Sequence, residues 1–148
     1  MRRVEASTWI DAEPQVAWDL YADVERSVEW VPFAEEILYV SGPAGLDQVY
    51  RERTSLGGVN DVAEWRIVEW DPPRRQVQLS VGKKAESHLI IEIAPDRGGT
   101  RVTQAAELRS ELPGPIGRIH ELIFGIVALR GLRGATAAAK RTLESTSS

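Results

Sequence analysis

Residues 112–143 read LPGPIGRIHELIFGIVALRGLRGATAAAKRTL, and this stretch decides how the rest of the chain must be arranged. Apolar side chains in its first half recur at the spacing of a helix with one apolar face, namely Ile116, Ile119, Ile123, Ile126 and Val127. A helix of about 29 residues is about 43 Å long, whereas a compact domain of this size has a radius of gyration of about 15 Å. We therefore predict one long helix, over residues 113–144, that spans the molecule and covers a sheet with its apolar face.

Upstream of this helix, alternating apolar and polar residues predict a first strand over residues 3–10. Asp11 as helix cap and Pro14 in the first turn predict a short helix that ends near Ala22, and residues 23–32 predict a second one that stops at Pro32. Six more strands are predicted over residues 35–41, 47–56, 61–71, 75–82, 86–94 and 100–109. Short turns rich in Gly, Pro and Asp separate them, which indicates an antiparallel sheet.

Length and composition limit the class of protein. The 148 residues predict a single domain over 1–148, with a disordered tail at 145–148. The chain has no Cys and its two His form no metal motif, so we expect neither a metal nor another cofactor. The Gly-Gly pairs do not open helices, and nothing predicts binding of nucleotide or nucleic acid. No run of 18 apolar residues and no secretory segment is present, so we expect a soluble, cytoplasmic protein.

Charge is distributed unevenly along the chain. From Leu112 onward there are five Lys or Arg against two Glu, a net of +3, and the total of −4 leaves −7 for the rest. A basic helix favours weak contact with an anionic membrane surface or an acidic ligand, although the solvated back of a helix has the same composition. The sequence leaves a monomer and a homodimer equally open.

Strand pairing by alternation predicts which side chains meet the long helix. The apolar set on that face is Tyr50, Leu56, Trp65, Ile67, Leu79, Leu89, Ile91, Val102 and Leu108. Four polar residues share the face: Glu52, Thr54, Glu69 and Gln104. Burial of such groups without partners costs several kcal/mol. They therefore either line the polar part of a cavity or face solvent because the register differs by one residue.

The helix contributes its own candidates to this site. Ile123, Phe124 and Val127 are predicted to line the cavity, and Arg130 follows on the same stripe. An inward Arg130 would need an acidic partner such as Glu52, unless the helix bends and turns it outward. His120, at the edge of the stripe, is either a structural residue or a general base within the cavity.

Several segments together resemble the polyketide cyclase/dehydrase and lipid-transport family. They are Ile10 to Pro14, Ala17 to Leu20, Asp23 to Arg26, Glu29 to Pro32, Val68 to Arg75 and the amphipathic end helix. The resemblance covers nearly the whole chain. It implies an α+β helix-grip fold of the START-like, birch-pollen-allergen-like superfamily, in which seven antiparallel strands curl round a C-terminal helix with an apolar cavity between them.

One departure from the family weakens an enzymatic interpretation. Aromatase/cyclases of the family carry a Trp-x-Ser-x-Arg-like run before the Asp-Pro turn, whereas Glu64-Trp65-Arg66-Ile67-Val68 stands here. The serine and the matching arginine are missing, and Arg66 points by alternation to the opposite face. We therefore do not assign to this chain the catalytic role that the resemblance implies for the arginine of that run.

Two classes of function follow. The first is a binding or carrier protein for a small, mostly apolar molecule that is polyketide-, lipid- or isoprenoid-like. The second is a cyclase or dehydratase in which Glu52 transfers protons together with His120 or Gln104. We expect burial to raise the pKa of Glu52 towards neutrality, which makes this residue the first candidate for any chemistry.

Overall fold

The structure is a computed structural model that describes residues 1–56 and 58–145, without the side chain of Leu56. Its elements are β1 (Arg2–Ile10), α1 (Pro14–Ala22), a 3-10 helix (Val24–Glu29), β2 (Ala34–Val40), β3 (Val49–Leu56), β4 (Val59–Asp71), β5 (Arg75–Val81), β6 (Ala85–Asp96), β7 (Gly99–Ser110) and α2 (Gly114–Ser145). The strands form one antiparallel sheet in the order β1-β7-β6-β5-β4-β3-β2. The predicted helix-grip architecture is confirmed. Gly57 and residues 146–148 lie outside the described residues. Of the disordered tail predicted at 145–148 only Ser145 is described, and it is the last residue of α2.

The start of α1 differs from the prediction. Its N-cap is Glu13, which makes no side-chain capping bond, and Asp11 lies two residues further upstream. Asp11 instead donates its backbone N–H to Glu144 near the end of α2, at 3.0 Å. Pro14 begins the helix because it has no N–H to satisfy. The prediction of an Asp11 cap was therefore wrong, while Asp23 does cap the 3-10 helix through the Glu25 N–H.

A break in the pairing of β4 with β5 changes which side of β5 faces α2. Ile67 pairs with Gln78, the register then shifts, and Glu69 pairs with Val77. The concave face, meaning the side of the sheet turned towards α2, therefore receives Gln78, whereas Leu79 lies on the opposite, convex face. The prediction that Leu79 faces the helix was wrong, because the bulge places two residues of one strand against one of the other. Glu69 also faces outward and binds Arg75 at 2.9 Å.

The apolar face of α2 is not the one that packs against the sheet. Ile119, Ile123 and Ile126 are 57%, 56% and 55% exposed. The buried helix residues are mostly small: Gly117, Gly125, Leu132, Ala135, Thr136, Ala139 and Leu143. Small side chains let the helix approach the strands closely, and the side chain of Arg2 lies over Gly125. The expectation that the isoleucines cover the sheet was therefore wrong.

The main core lies under the second half of α2. It joins Ile10 and Trp18 to Ile91 and Val102 on the concave face, all almost completely buried, and Ala135 is one of the helix residues that pack against them. Trp18 also meets Trp70 edge to face, with ring centroids 5.0 Å apart. The first half of α2 contributes only Gly117 and Gly125 to the buried set. The two halves of the helix therefore have different surroundings.

Two glycines of α2 should respond oppositely to alanine. A Cβ at Gly131 meets nothing within 4 Å, so Gly131→Ala should stabilise the protein by up to about 1 kcal/mol through helix propensity. A Cβ at Gly117 would overlap the carbonyl oxygen of Leu112, so Gly117→Ala should destabilise it by about 1–3 kcal/mol. Urea unfolding measures both, and equal shifts in one direction would contradict the described packing.

Candidate functional site

A cavity of about 230 Å³ lies between the concave face and the middle of α2. Its walls come from the end of the 3-10 helix, four strands and α2: Trp30, Val31, Pro32, Tyr50, Glu52, Trp65, Ser87, His88, Leu89, Gln104, Ala106, Phe124, Ala128, Gly131, Leu132 and Ala135. The strand residues Tyr50, Glu52 and Trp65 come together because Tyr50 pairs with Trp65 and alternation brings Glu52 to the same face. Most of the wall is apolar.

Several polar atoms of the cavity residues lack hydrogen-bond partners within the described part of the chain. Among the described residues, five buried side-chain nitrogen or oxygen atoms have no hydrogen bond. Four of the five belong to cavity residues, namely Trp30 Nε1, Glu52 Oε2, Trp65 Nε1 and Gln104 Oε1. Each such group costs about 1–3 kcal/mol when it stays unpaired. Their concentration in one cavity is typical of a site whose missing partners belong to a bound molecule or to water.

Glu52 is the acidic residue of the cavity wall. Its side chain is buried, with 6% of the residue exposed. The pKa of Glu52 is raised from 4.5 to about 7. Burial causes the rise, and an interaction with the nearby Trp65 indole offsets a part of it. The Trp65 N–H and Glu52 Oε2 do not reach hydrogen-bonding geometry with any described partner. Near neutral pH the carboxyl group can therefore either donate or accept a hydrogen bond.

A network of buried polar side chains lies behind the cavity. The hydroxyl of Tyr50 donates to Gln78, Gln78 donates to Gln76 at 3.0 Å, and Gln76 donates to the carbonyl of Tyr21 at 3.1 Å. Gln104 Nε2 donates to the Tyr21 hydroxyl at 2.8 Å. Burial raises the pKa of both tyrosines, strongly for Tyr50, so both hydroxyls stay protonated. The bond to Tyr21 holds the amide of Gln104 through its nitrogen, and its oxygen has no hydrogen-bond partner among the described residues.

The structure brings together some of the residues that the sequence predicted and separates others. Tyr50, Glu52, Trp65, Leu89, Gln104 and Phe124 line the cavity. The predicted residues that do not line it are Thr54, Ile67, Leu79, Ile91, Val102, His120, Ile123, Val127 and Arg130. Ile67, Ile91 and Val102 are on the predicted face but are packed into the core. Thr54 is half-buried near the end of β3, and the side chain of Leu56 lies outside the described residues.

His120 is bound elsewhere. Its Nδ1 lies 2.8 Å from the hydroxyl of Ser110, and it borders a surface depression with Asp61 and Lys83. The Ser110 hydroxyl also accepts from the N–H of Leu112, which joins β7 to α2. This position separates His120 from Glu52, so the expected pairing of the two in one cavity was wrong.

Arg130 does not enter the cavity either. Its side chain is exposed and lines an outer cleft of about 380 Å³ with Pro32, Phe33, Ile126 and Val127. Of the two arrangements left open by the sequence, an inward Arg130 paired with an acidic group and an outward one, the outward arrangement holds. The reason is the rotation of α2, whose small residues face the sheet and turn Arg130 outward together with Ile123 and Val127.

Several wall residues were missed by reasoning from the sequence. Trp30, Ala128 and Ala135 line the cavity but were assigned to packing or to no role. The run of small residues in α2 was the available signal, because a helix that approaches a sheet through alanine and glycine presents those residues to any space between them. Gln76 and Gln78 behind the cavity were missed because alternation was used to turn the apolar residues of β5 towards the helix. In the structure those residues lie on the convex face, and the two glutamines lie on the concave one.

A second depression is larger but less suited to a ligand. It has a volume of about 510 Å³, opens widely to solvent and lies between α1 and the segment from Val40 to Gln48. Of the unpaired buried atoms in residues 1–56 and 58–145, one, Gln48 Oε1, belongs to it. Within the described parts of the chain no cluster of His, Asp or Glu could hold a metal ion. The cavity beside Glu52 is therefore the candidate site.

The sheet curled round a long C-terminal helix, with a cavity between them, defines the class of helix-grip proteins. Residues 1–144 match the family described as polyketide cyclase / dehydrase and lipid transport, and the chain belongs to that family. A sequence relative, the uncharacterized protein Rv1546 of Mycobacterium tuberculosis, is 25% identical over 125 residues, which cover 79% of this chain and 84% of the relative.

Solved structures agree on the fold. The protein TTHA0849 from Thermus thermophilus superposes with a TM-score of 0.78 at 21% identity and covers 99% of both chains. The Zhui aromatase/cyclase from Streptomyces sp. R1128 superposes with a TM-score of 0.81 at 16% identity, over 97% of this chain and 93% of that one. At these identities the likeness concerns the fold.

Proposed function

We propose that this protein binds a small, mostly apolar molecule with one polar end in the cavity between the sheet and α2. The observation that carries the proposal is the set of four unpaired polar atoms in an otherwise apolar cavity. An apolar enclosure with a few convergent polar groups is typical of ligand sites. Membership of a family described by polyketide cyclisation and lipid transport supports the same class of ligand.

The unpaired atoms describe the polar end of the ligand. Trp30 and Trp65 each offer an N–H, Gln104 offers a carbonyl oxygen, and Glu52 can donate or accept. A ligand oxygen that both accepts and donates, as in a phenol or an enol, satisfies this set. A volume of about 230 Å³ is below the range of about 300–1,000 Å³ for drug-sized sites. The proposed ligand is therefore small, with the bulk of two or three fused rings.

Nuclear magnetic resonance of the tryptophan side chains tests this proposal. The chain has five Trp, whose indole N–H signals can be assigned by substitution. Addition of 2-naphthol should shift the signals of Trp30 and Trp65 in a saturable way, whereas Trp9, whose indole donates to the carbonyl of Asp96 at 2.8 Å, should not respond. Naphthalene lacks the hydroxyl, and its affinity should be lower than that of 2-naphthol by a factor of about ten or more.

Two variants of α2 provide matched controls. Ala128→Phe places a ring in the cavity and should abolish the shifts, whereas Ala137→Phe adds the same ring to a helix position outside the cavity. If no small aromatic or aliphatic probe gave saturable shifts at Trp30 and Trp65, the binding proposal would be wrong. Equal shifts in the two variants would contradict the assignment of the site.

A second candidate function is proton transfer on a bound carbonyl compound. The observation that favours it is the pKa of Glu52, which burial raises to about 7, where a carboxyl group is suited to act as a general acid or base. The indole N–H of Trp30 or Trp65 would donate to the carbonyl oxygen, and Gln104 Oε1 would accept from the hydroxyl of an enol formed from it. The Zhui protein, of similar fold, is named an aromatase/cyclase, which makes a related reaction a reasonable candidate.

A further inference from the structure

We propose that the exposed apolar side of the first half of α2 docks on an anionic lipid surface. We call this side the isoleucine face and define it as Ile116, Ile119, Leu122, Ile123, Ile126 and Val127. Each of these residues is between 49% and 62% exposed. Together they present on the order of 500 Å² of apolar surface, which is as large as the largest patch of an ordinary monomer. This inference is independent of what the cavity binds.

Basic side chains surround the isoleucine face. Arg118 lies within it in sequence, and Arg130 and Arg133 follow one to two turns after Val127. All three are exposed, and none of them forms an ion pair within residues 1–56 and 58–145. An apolar helix side with arginines around it is the pattern of helices that lie in the membrane interface, with the apolar residues below the head groups.

Acidic side chains are absent from this part of the helix surface. The only two Glu of α2 are Glu121 and Glu144. Glu121 is turned towards the sheet, where it binds the N-terminal ammonium group of Met1 at 3.0 Å and accepts from the Ser110 N–H at 3.0 Å. The field at the isoleucine face is therefore positive although the chain as a whole carries −4. That field complements anionic head groups.

A second copy of the chain fits this surface less well. A standard interface buries about 800 Å² on each partner, which exceeds the isoleucine face. A two-fold packing centred on this face would bring Arg118 near Arg130 of the other copy, or each arginine near its own equivalent. Unpaired like charges would then meet with no acidic residue of α2 between them, which opposes association.

A fully inserted α2 also fits less well than a docked one. By length and composition alone the helix Gly114–Ser145 could cross a membrane. Core helices of soluble proteins pass the same test. The second half of α2 is packed through Ala135, Ala139 and Leu143 into the main core. Insertion would expose that core, whereas docking through the isoleucine face leaves it intact.

The loop before β2 extends the apolar surface. Phe33 is 50% exposed and adopts a φ of 67°, which is unusual for an aromatic residue. Pro32 and Phe33 form the outer cleft with Ile126 and Val127, and Pro32 also lines the cavity. A lipid surface that contacts the isoleucine face would therefore lie beside the loop that closes one end of the cavity.

Sedimentation with vesicles tests the proposal on the full chain. Vesicles of phosphatidylcholine with about 30% phosphatidylglycerol should bind the protein on the order of 100-fold more tightly than phosphatidylcholine alone, and added salt should weaken the binding. Ile119→Glu with Ile126→Glu should reduce it by about tenfold or more. Arg118→Gln with Arg130→Gln should reduce it by about 25-fold on anionic vesicles and leave binding to neutral ones unchanged.

A control pair lies on the sheet. Val59 and Val62 of β4 are 70% and 52% exposed, and Val59→Glu with Val62→Glu should bind vesicles like the unaltered protein. Near-ultraviolet circular dichroism verifies that each variant is folded. No sedimentation with anionic vesicles, or an equal loss in the β4 control, would overturn the proposal. Light scattering that shows a dimer, dissociated by the isoleucine substitutions, would assign the surface to a second copy instead.

Discussion

Replacement of Glu52 by Gln is expected to stabilise the protein above pH 7 and to leave its stability unchanged near pH 4. Burial raises the pKa of Glu52 in the folded state to about 7, whereas the ordinary value is 4.5. The folded protein therefore holds a proton that the unfolded chain releases between these two values. Stability that is fully present below pH 4.5 is lost as the pH rises through 7.

The size of this effect follows from the displacement of the pKa. A difference of about 2.5 pH units corresponds to about 3 kcal/mol, because one unit corresponds to 1.36 kcal/mol. Only 6% of Glu52 is exposed, so solvent screening removes little of it. Glutamine has nearly the same shape as glutamate and cannot ionise. The free energy of unfolding of the variant should therefore not fall with pH for this reason, and at pH 8 it should exceed that of the unaltered protein by about 3 kcal/mol.

Urea unfolding at pH 4, 6 and 8 measures the difference between the two proteins. The difference isolates the substitution, since every other ionisable residue is present in both proteins. Glu64→Gln is a suitable control because Glu64 is exposed and bound to Arg51, and its effect should stay below about 1 kcal/mol at every pH. A constant difference between pH 4 and pH 8, or a variant that is less stable at pH 8, would show that Glu52 is not desolvated.

The second large effect concerns proton transfer. If Glu52 acts as a base on bound carbonyl compounds, the protein should accelerate exchange of hydrogen for deuterium at the carbon next to the carbonyl of 2-tetralone. In heavy water the carboxylate removes the proton and an enol or enolate forms. The carboxyl group exchanges that proton for a deuteron of the solvent and returns the deuteron to the carbon. Glu52→Gln should lower the protein-catalysed rate by about 10² or more, as expected for the loss of a general base.

The pH dependence distinguishes this chemistry from adventitious catalysis. The rate should rise as Glu52 loses its proton, with a midpoint set by its raised pKa of about 7. Binding of 2-naphthol to Glu52→Gln, followed by the Trp30 and Trp65 signals, controls for an intact cavity. If Glu52→Gln still binds 2-naphthol and catalyses exchange at an unaltered rate, Glu52 is not the base, and the binding function alone remains. Exchange that is equal in the Glu64→Gln and Glu52→Gln variants would likewise exclude Glu52 as the base.

Local sequence patterns were sufficient for the elements and their order. The strand over Val4 to Ile10 and the strands of the hairpins follow from alternation of period two and from turn residues, both of which act over a few neighbours. The change to helical spacing after Leu112 predicted one long helix, and the structure has it as Gly114–Ser145. The placement of Glu52 on the concave face could also be predicted, because β3 and β4 pair without a break from Tyr50 to Leu56.

Tertiary structure decided which faces these elements present. The bulge between Ile67 and Glu69 sends Gln76 and Gln78 inward and Leu79 outward, and nothing in the alternation of β5 indicates it. The rotation of α2 depends on how closely its axis can approach the sheet, and alanine and glycine allow a closer approach than isoleucine. Apolar periodicity records only that one side of a helix differs from the other. Whether that side meets the sheet or the surroundings is decided by packing over the whole molecule.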